Sequence, residues 1–270
     1  VHVLYPSRKY CGESVVADIG IPSALIENQQ AALLSADEDF IKNTLPVRDP
    51  EGNKGSYGKL ACFCGSYGMA GAAVMSAKAA LRCGTGLLAL CVPDSIYQIL
   101  AGQLSEPIFT PMQQISAGTL SFSCKDKMLD RLNWASACLF GCGLGNNENI
   151  SSLLDVLFQN ITVPLVLDAD GINALAGHID RVKSLKAPVI LTPHPGEMAR
   201  LLHTDVSQVQ RDRVYCARSF AEEYGVVLVL KGAGTVIAAP DGRVYVNRTG
   251  NPGMATGGSG DVLAGMIASF

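Results

Sequence analysis

Residues 251–261 read NPGMATGGSGD, and the fold and the site of this chain are inferred outward from this stretch. It places Gly257, Gly258, Ser259 and Gly260 directly before an apolar run with helical spacing. Glycines let backbone N–H groups crowd round an anion, and a helix N-terminus offers unpaired donors and a favourable dipole. Asp261 would lie in the first helical turn, where a carboxylate can act as general base on a hydroxyl facing a nucleoside phosphate. The alternative is an ordinary glycine-rich turn in which Asp261 only complements the helix dipole.

The composition is typical of a compact globular enzyme. Of 270 residues, 48% are hydrophobic and 17% are charged, which argues against a disordered chain and allows a sizeable core. A net charge of −3 without a basic stripe argues against a nucleic-acid partner. No apolar run reaches the roughly 18 residues that a membrane span needs. The nine cysteines lack paired metal-binding spacing, so we expect reduced, buried thiols in a cytoplasmic protein.

From Lys59 onward, apolar runs alternate with helical segments. Nearly continuous apolar strands predict an α/β fold, with a mostly parallel central sheet covered by helices on both faces. Ligands of such folds bind at the carboxyl ends of the strands, where most of the glycine-rich, His-bearing and Asp-bearing loops of this chain fall. The predicted strands are 60–64, 84–92, 137–140, 164–167, 188–191, 226–230 and 235–238, with 244–246 completing a hairpin.

The first 45 residues are interpreted separately. Residues 1–26 look like an appendage with a short β-rich piece, SVVADIGIP, at 14–22, and residues 29–43 are helical in composition. The polar stretch 46–56 is broken by proline and glycine, which places a domain boundary near residue 45.

Two capping boxes are predicted from spacing. Ser35 with Glu38 predicts a helix start, and Asp205 with Gln208 predicts a helix running to Glu223.

Two glycine-rich loops follow predicted strands. GSYGMAGAA, at 65–73, would bring the backbone close to a ligand phosphate or ribose, or would only pack a strand tightly on a helix. GCGLG, at 141–145, hints at a dinucleotide loop. The acidic ribose partner expected roughly 20 residues later would be Asp155 or Asp168, and neither is well placed, so a dehydrogenase is a weak interpretation.

The loops after two further strands contain candidate site residues. In TPHPGE, at 192–197, two prolines bracket His194, which is a candidate ligand-binding residue or a hydrogen-bonded structural histidine. Glu197 could hold magnesium through water or simply cap the helix. In KGAGT, at 231–235, Lys231 could meet a phosphate while the backbone and Thr235 line a nucleotide, the alternative being a hairpin turn with a surface lysine.

Over residues 46–270 these motifs, in this order, resemble the ADP- or ATP-dependent NAD(P)H-hydrate dehydratase family, a branch of the ribokinase-like fold. The resemblance rests on KGSYG (54–58), GSYGMAGAA, GLG (143–145), LDADGINAL (167–175), LTPHPGE (191–197), VLKGAGTVI (229–237) and NPGMATGGSGDVLAGMI (251–267). It implies a ribokinase-like three-layer αβα domain. It also implies a metabolite-repair lyase that phosphorylates the C6 hydroxyl of hydrated NAD(P)H with ADP or ATP, whereupon loss of phosphate restores NAD(P)H.

The resemblance also implies roles for individual residues. Asp261 would meet the substrate hydroxyl as base, and Ala72, Gly143 and His194 would line the hydrated nicotinamide nucleotide. The adenine nucleotide and its phosphates would be held by Lys231, Gly232, Ala233, Gly234, Thr235, Gly257, Gly258, Ser259 and Gly260. Magnesium is expected with the nucleotide, and a homotetramer is expected from the family.

The appendage has a match of its own. LYPSRKYCGESVVADIGIP, at 4–22, resembles the tail of the NAD(P)H-hydrate epimerase domain that many bacteria fuse ahead of the dehydratase. We therefore expect an epimerase tail at 1–27, a linker and helix at 28–45, and a dehydratase domain at 46–270 that lacks its last helices. The whole protein would be bifunctional.

Two other functions stay open at this point. A ribokinase-like kinase of a vitamin-precursor alcohol, hydroxymethylpyrimidine or hydroxyethylthiazole, would share the sheet and a loop ending in Gly-x-Gly-Asp, but LTPHPGE and KGAGT are not expected together in it. A non-catalytic nucleotide-binding module is disfavoured by the intact Asp261 and the unbroken glycine loop.

Overall fold

The computed structural model of the protein describes residues 4–27 and 33–270. Its described strands form one nine-stranded sheet in the order β3-β2-β1-β4-β5-β6-β7-β8-β9. All pairs from β3 across to β7 are parallel, and β7–β8 and β8–β9 are antiparallel. The strands are β1 (Lys59–Phe63), β2 (Leu87–Pro93), β3 (Ile108–Met112), β4 (Ala137–Phe140), β5 (Leu165–Leu167), β6 (Val189–Leu191), β7 (Val227–Leu230), β8 (Val236–Ala238) and β9 (Val244–Val246).

Helices fill the connections between these strands. The α-helices in the described ranges are α1 (Ser23–Glu27), α2 (Glu38–Thr44), α3 (Ala70–Cys83), α4 (Asp94–Ala101), α5 (Lys125–Trp134), α6 (Glu148–Asn160), α7 (Asp170–Leu175), α8 (Pro195–Leu201), α9 (Val206–Arg211), α10 (Arg213–Tyr224) and α11 (Ser259–Ser269). Short 3-10 helices lie at Ser7–Tyr10, Phe122–Cys124, Ile179–Ser184 and Pro252–Met254.

The sheet is buried on both faces. Along β1, Ala61 and Phe63 belong to one apolar cluster and Leu60 and Cys62 belong to another, because successive side chains of a strand point to opposite faces. The second cluster includes residues of α3, α4 and α11, and the first includes residues of α5, α6, α7, α8 and α10. The predicted three-layer α/β architecture with a mostly parallel sheet is confirmed.

The strand β2 begins later than its sequence predicts. The predicted strand starts at residue 84, but Gly84 has φ 107° and closes α3, donating its N–H to the carbonyl of Ala80. A left-handed glycine that ends a helix cannot also begin a strand. The extended conformation therefore starts at Leu87.

Both capping predictions are wrong in detail. Helix α2 is capped by Asp37, whose carboxylate accepts from the N–H of Phe40 at 2.8 Å, and Ser35 lies outside the helix. The helix predicted from Asp205 to Glu223 is interrupted at Asp212, which has φ −146° and caps α10. Asp205 makes no side-chain cap bond. The carboxylate of Asp212 accepts a hydrogen bond from the N–H of Tyr215, and an aspartate that caps a new helix in this way interrupts the helix before it.

The appendage forms no strand in its described part. Residues 14–22 are without regular structure, and Val15 and Val16 are 79% and 99% exposed. β-Branched side chains favour a strand only where a neighbouring strand packs on them. Instead, Leu34 makes an isolated parallel bridge to Tyr245 of β9. Of the helix predicted at 29–43, residues 29–32 lie outside the described residues, and the described part begins only at Glu38.

The cysteines form no disulfide bonds. All nine lie in the described residues without disulfide bonds, six of them buried and Cys11, Cys83 and Cys216 partly exposed. No helix within the described ranges is long and apolar enough to cross a bilayer.

Candidate functional site

Strand order brings the predicted loops into one row. The strands β1, β4, β5, β6 and β7 are neighbours in that sequence, and all run in the same direction. The loops at their carboxyl ends therefore lie side by side at one edge. They are GSYGMAGAA after β1, GCGLG after β4, Asp168 after β5, TPHPGE after β6 and KGAGT after β7.

Helix α11 begins against this row. Gly258, the residue before its first turn, has φ 92°, and a side chain there would collide with Met75 of α3. Gly265 brings the α11 backbone directly onto the backbone of Ser76. A Cβ at Gly260 would lie 3.4 Å from Nζ of Lys231, so the first turn faces that lysine.

The first turn of α11 has free donors. The N–H of Val262 bonds to the carbonyl of Gly258, while the N–H groups of Gly260 and Asp261 have no acceptor among the described residues. The hydroxyl of Ser259 donates to the carbonyl of Met254 at 2.7 Å. The N–H of Ser259 donates to the carbonyl of Thr256 at 3.4 Å, so both donors of Ser259 are engaged within the chain. Open N–H groups at a helix start are an anion site, and here Gly260 and Asp261 supply them.

Asp261 is partly buried and lies in a cluster with a second carboxylate. Sγ of Cys142 and carboxylate oxygens of Asp168 and Asp261 lie within 4.8 Å of one another. Burial, followed by the negative charge of Asp168, raises the pKa of Asp261 to about 6. A carboxyl group with this pKa is ionised at neutral pH and accepts protons more readily than an exposed aspartate.

Asp168 is the main site residue that the sequence interpretation missed. It is 1% exposed and accepts from Nζ of Lys231 at 2.7 Å and from the hydroxyl of Thr192 at 2.6 Å. The next residue, Ala169, has φ 48°, a conformation that costs of the order of 1 kcal/mol or more outside glycine. A carboxylate directly after an apolar parallel strand was the available signal, but the sequence suggested a role for Asp168 only as a poorly placed ribose partner.

Lys231 lies inside the site. The lysine side chain is 18% exposed, and its ammonium lies between Asp168 at 2.7 Å and Oε2 of Glu197 at 3.8 Å. The loop is the connection of an antiparallel hairpin, as the alternative held, but the lysine does not face solvent. Its backbone N–H donates to the carbonyl of Pro193 at 2.9 Å and ties this loop to the preceding one.

His194 and Glu197 form a reciprocal cap at the start of α8. Nδ1 of His194 accepts from the N–H groups of Gly196 at 3.0 Å and Glu197 at 3.2 Å, and Oε2 of Glu197 accepts from the N–H of His194 at 2.8 Å. The imidazole is held by the cap, as the structural alternative expected, and its side chain stays 50% exposed. Its role in lining the substrate stays a prediction. Histidine is not among the usual capping residues, so its spacing to Glu197 did not predict this box.

The geometry does not fit a resident magnesium ion. Both carboxylate oxygens of Glu197 are engaged with His194, and Lys231 stands nearby, so direct ligation does not fit. The cluster around Asp261 includes a thiol, whereas Mg²⁺ prefers oxygen ligands. Lys231 already neutralises Asp168 there. Contact of Glu197 with magnesium through water stays a prediction.

Ala72 and Gly143 meet where two loops join. A Cβ at Gly143, which has φ 66°, would lie 2.8 Å from Cβ of Ala72. The hydroxyl of Ser66 donates to the carbonyl of Gly143 at 2.8 Å, which fixes the loop after β1 to the loop after β4. The structure thus brings together two of the three predicted nicotinamide contacts. His194 follows β6, two strands further along the sheet.

The rest of the predicted nucleotide residues lie at the open side. A Cβ at Gly257 would meet no atom within 4 Å, and the hydroxyl of Thr235 donates to the carbonyl of Gly232 at 3.0 Å. An open depression of about 560 Å³ lies elsewhere, beside α8 and α9, and is lined by Gly196, Arg200 and His203 among others. Its lining includes none of the Asp261 cluster, so we do not place the chemistry there.

Comparison with known proteins agrees with this geometry. The family model described as NAD(P)H-hydrate dehydratase matches residues 60–270. The chain is 43% identical over 268 residues to the bifunctional NAD(P)H-hydrate repair enzyme Nnr of Moorella thermoacetica, covering 99% of this chain and 51% of that protein. The chain thus spans about half the length of the curated relative.

Solved structures give the same assignment. The ADP/ATP-dependent NAD(P)H-hydrate dehydratase of Bacillus subtilis, co-crystallised with ATP and Mg²⁺, superposes with a TM-score of 0.75 at 33% identity, covering 87% of this chain and 80% of that one. A ribokinase-like superfamily protein of Enterococcus faecalis superposes with a TM-score of 0.76 at 26% identity, covering 88% and 80%. The predicted ribokinase-like fold is confirmed, and the dehydratase prediction is favoured over the vitamin-precursor kinase. The chain belongs to the NAD(P)H-hydrate dehydratase family.

Proposed function

We propose that this chain dehydrates (S)-NAD(P)H hydrate to NAD(P)H at the expense of ADP or ATP. One observation carries the proposal: a carboxylate with its pKa raised to about 6 lies in the first turn of a helix whose free N–H groups adjoin an ammonium group. A base for a hydroxyl and an anion site for a phosphoryl group are thereby next to each other. The family membership supports this activity over other phosphoryl transfers.

The residues would divide the reaction between them. Asp261 takes the proton of the C6 hydroxyl, whose oxygen attacks the terminal phosphorus of the nucleotide as the bond to the leaving phosphate oxygen breaks. The N–H groups of Gly260 and Asp261, with Lys231, stabilise the negative charge on the transferred group. The ring nitrogen then expels the C6 phosphate, and loss of a proton from the adjacent ring carbon restores the nicotinamide double bond.

The remaining residues would bind the two nucleotides. Ala72, Gly143 and His194 line the hydrated nicotinamide nucleotide, and residues 231–235 and 257–260 hold the adenine nucleotide. Magnesium would arrive with the adenine nucleotide and neutralise its phosphates, and the co-crystal of the Bacillus subtilis relative with ATP and Mg²⁺ supports this. No step is assigned to a protein-held metal.

One assay tests the activity. The full-length protein is given chemically hydrated NADH with ADP or ATP, and regenerated NADH is followed by absorbance. Recovery that requires nucleotide is expected. No recovery together with phosphorylation of a thiazole or pyrimidine alcohol would identify the kinase instead. Binding of ADP with neither activity would identify a nucleotide-binding module.

The wider organisation of the protein is also a proposal. The half-length match to a bifunctional repair enzyme supports an epimerase tail at 1–27 ahead of a linker at 28–45 and the dehydratase domain. A homotetramer is proposed from the family resemblance, and sedimentation of the full-length protein tests it. The cytoplasmic location stays a prediction from the cysteine pattern.

A further inference from the structure

Arg213 reaches the loop 231–235 from the neighbouring helix. It is the first residue of α10, and its guanidinium donates to the carbonyl of Leu230 at 2.8 Å, of Lys231 at 3.1 Å and of Ala233 at 2.9 Å. Three carbonyls, one at the end of β7 and two in the loop, therefore converge on one side chain. None of the motifs that predicted the site includes Arg213.

Because the peptide bond is planar, these contacts also fix the direction of the neighbouring N–H groups. In a trans peptide the N–H points opposite to the preceding C=O. Because the carbonyls of Lys231 and Ala233 face Arg213, the N–H groups of Gly232 and Gly234 point away from it. Neither donates to an acceptor in the described part of the chain.

Gly232 is matched to this arginine. Its φ is 148°, and a Cβ there would lie 2.8 Å from Nη2 of Arg213, so no side chain fits between this backbone and the guanidinium. A guanidinium presents several N–H groups in a fixed plane, whereas a lysine ammonium is a single point charge. The three carbonyls at these positions match the several N–H donors of an arginine and not the single ammonium group of a lysine.

The same arrangement controls the direction of Lys231. Its carbonyl is held by Arg213 and its N–H by Pro193, so both peptide groups of this residue are fixed on either side of its Cα. Its ammonium then reaches Asp168 at 2.7 Å. An error in the loop backbone would move the lysine away from the anion site.

We propose that Arg213 is a positioning residue that shapes the loop 231–235 to bind the phosphates and ribose of an adenine nucleotide. This rests on the proposed function of the loop. Arg213 contacts neither substrate, and it acts by orienting the free N–H groups of Gly232 and Gly234 and the side chain of Lys231. Its loss should therefore weaken nucleotide binding more than the chemical step.

The test compares Arg213→Met and Arg213→Lys with the wild-type full-length protein. We expect Arg213→Met to raise the Kd and the KM for ADP by about tenfold or more, with kcat at saturating ADP changed by less than about threefold. Arg213→Lys should recover only part of the affinity, because it keeps the charge and loses the fork. Arg82→Met is the matched control, since Arg82 is exposed in the last turn of α3, and it should leave ADP binding unchanged.

A second readout needs no nucleotide. Amide hydrogen exchange at Lys231, whose N–H is bonded to Pro193, should accelerate in Arg213→Met while the strand β5 keeps its protection. If Arg213→Met does not fold, Arg213→Lys carries the comparison. Wild-type ADP affinity in both variants would overturn the inference even if the activity stands. A wild-type protein that binds ADP without restoring NADH would instead refute the proposed function and leave the affinity comparison to decide the role of Arg213. Absence of ADP binding by the wild type would refute both.

Discussion

Nζ of Lys231 lies 2.7 Å from Oδ1 of Asp168, and this ion pair joins the predicted phosphate-binding lysine to the environment of the predicted base. Burial, and after it the negative charge of Asp168, raises the pKa of Asp261. The lysine thus belongs to two interactions. It neutralises a buried carboxylate before a phosphate arrives, and it stands next to the helix start where the phosphate would bind.

Removal of the base should abolish turnover without weakening the binding of the nucleotide. We expect Asp261→Asn to lower kcat by about 10²–10⁴-fold, because the amide cannot accept the hydroxyl proton. The Kd for ADP should stay within about threefold, because the lost group acts on the other substrate. Initial rates and ADP titration measure the two effects. A variant that kept most of its rate would show that another group is the base.

The rate should depend on pH through the same carboxyl group. A base works only when it is ionised, so kcat/KM should rise as pH increases through about 6 and then level off. With an ordinary aspartate the rise would end near pH 4. Rates measured in overlapping buffers from acidic to neutral pH decide between the two. A profile that stays flat down to about pH 4.5 would contradict the raised pKa.

Stability should respond to pH in the opposite direction. The folded-state pKa of Asp261 lies above its usual 3.8, so the folded state holds the proton more tightly than the unfolded chain between these values. The stability that protonation provides is complete below the unfolded pKa and is lost as pH rises through about 6. Asp261→Asn should flatten this part of the curve of Tm against pH. An unchanged slope in the variant would show that other groups cause it.

Breaking the ion pair from the lysine side should destabilise the fold. Lys231→Met leaves Asp168 buried and charged without its partner, which we expect to cost about 3 kcal/mol in the free energy of unfolding. The double variant Lys231→Met/Asp168→Asn should recover part of that loss, because the orphaned charge is gone. Urea unfolding of the wild type, the two single variants and the double variant at one pH measures the coupling. Additive effects of the two changes would argue against a direct pair.

The effect on stability of the close approach of Gly143 to Ala72 can be measured separately from the effect of backbone strain. Gly143→Ala and Gly177→Ala both place a side chain at a positive φ, 66° and 84°, and each should cost about 1–2 kcal/mol for that reason. Only Gly143→Ala also meets Cβ of Ala72, while Gly177 faces open space. We expect Gly143→Ala to lose more stability and to raise the KM for the hydrate. Equal behaviour in both assays would remove Gly143 from the substrate site.

Local chain chemistry explains what the sequence could predict. Each apolar run is formed by neighbouring residues, so the strand Ala137–Phe140 and the hairpin completed by Val244–Val246 followed from composition and turn chemistry. The break at Asp212 was missed because Asp205 and Gln208 have the spacing of a capping box, whereas the side chain that caps a helix here is that of Asp212.

The site depends on contacts that no local pattern contains. The ion pair of Asp168 joins residues 63 positions apart, and its importance arises from strand order and not from its neighbours in the chain. The contact of Arg213 with the loop 231–235 likewise needs α10 to lie beside β7. The motifs predicted which loops carry the chemistry, and the packing of the sheet decided which side chains support them.

The placement of β1 between β2 and β4 has a consequence for assembly. The anion site draws on Lys231 in the loop after β7 and on the first turn of α11, which packs on α3, the helix that follows β1, so the site is complete only when these distant segments have come together. During synthesis, Asp261 emerges after every other contributor. Nucleotide affinity should therefore arise late in folding, when α11 has docked on α3.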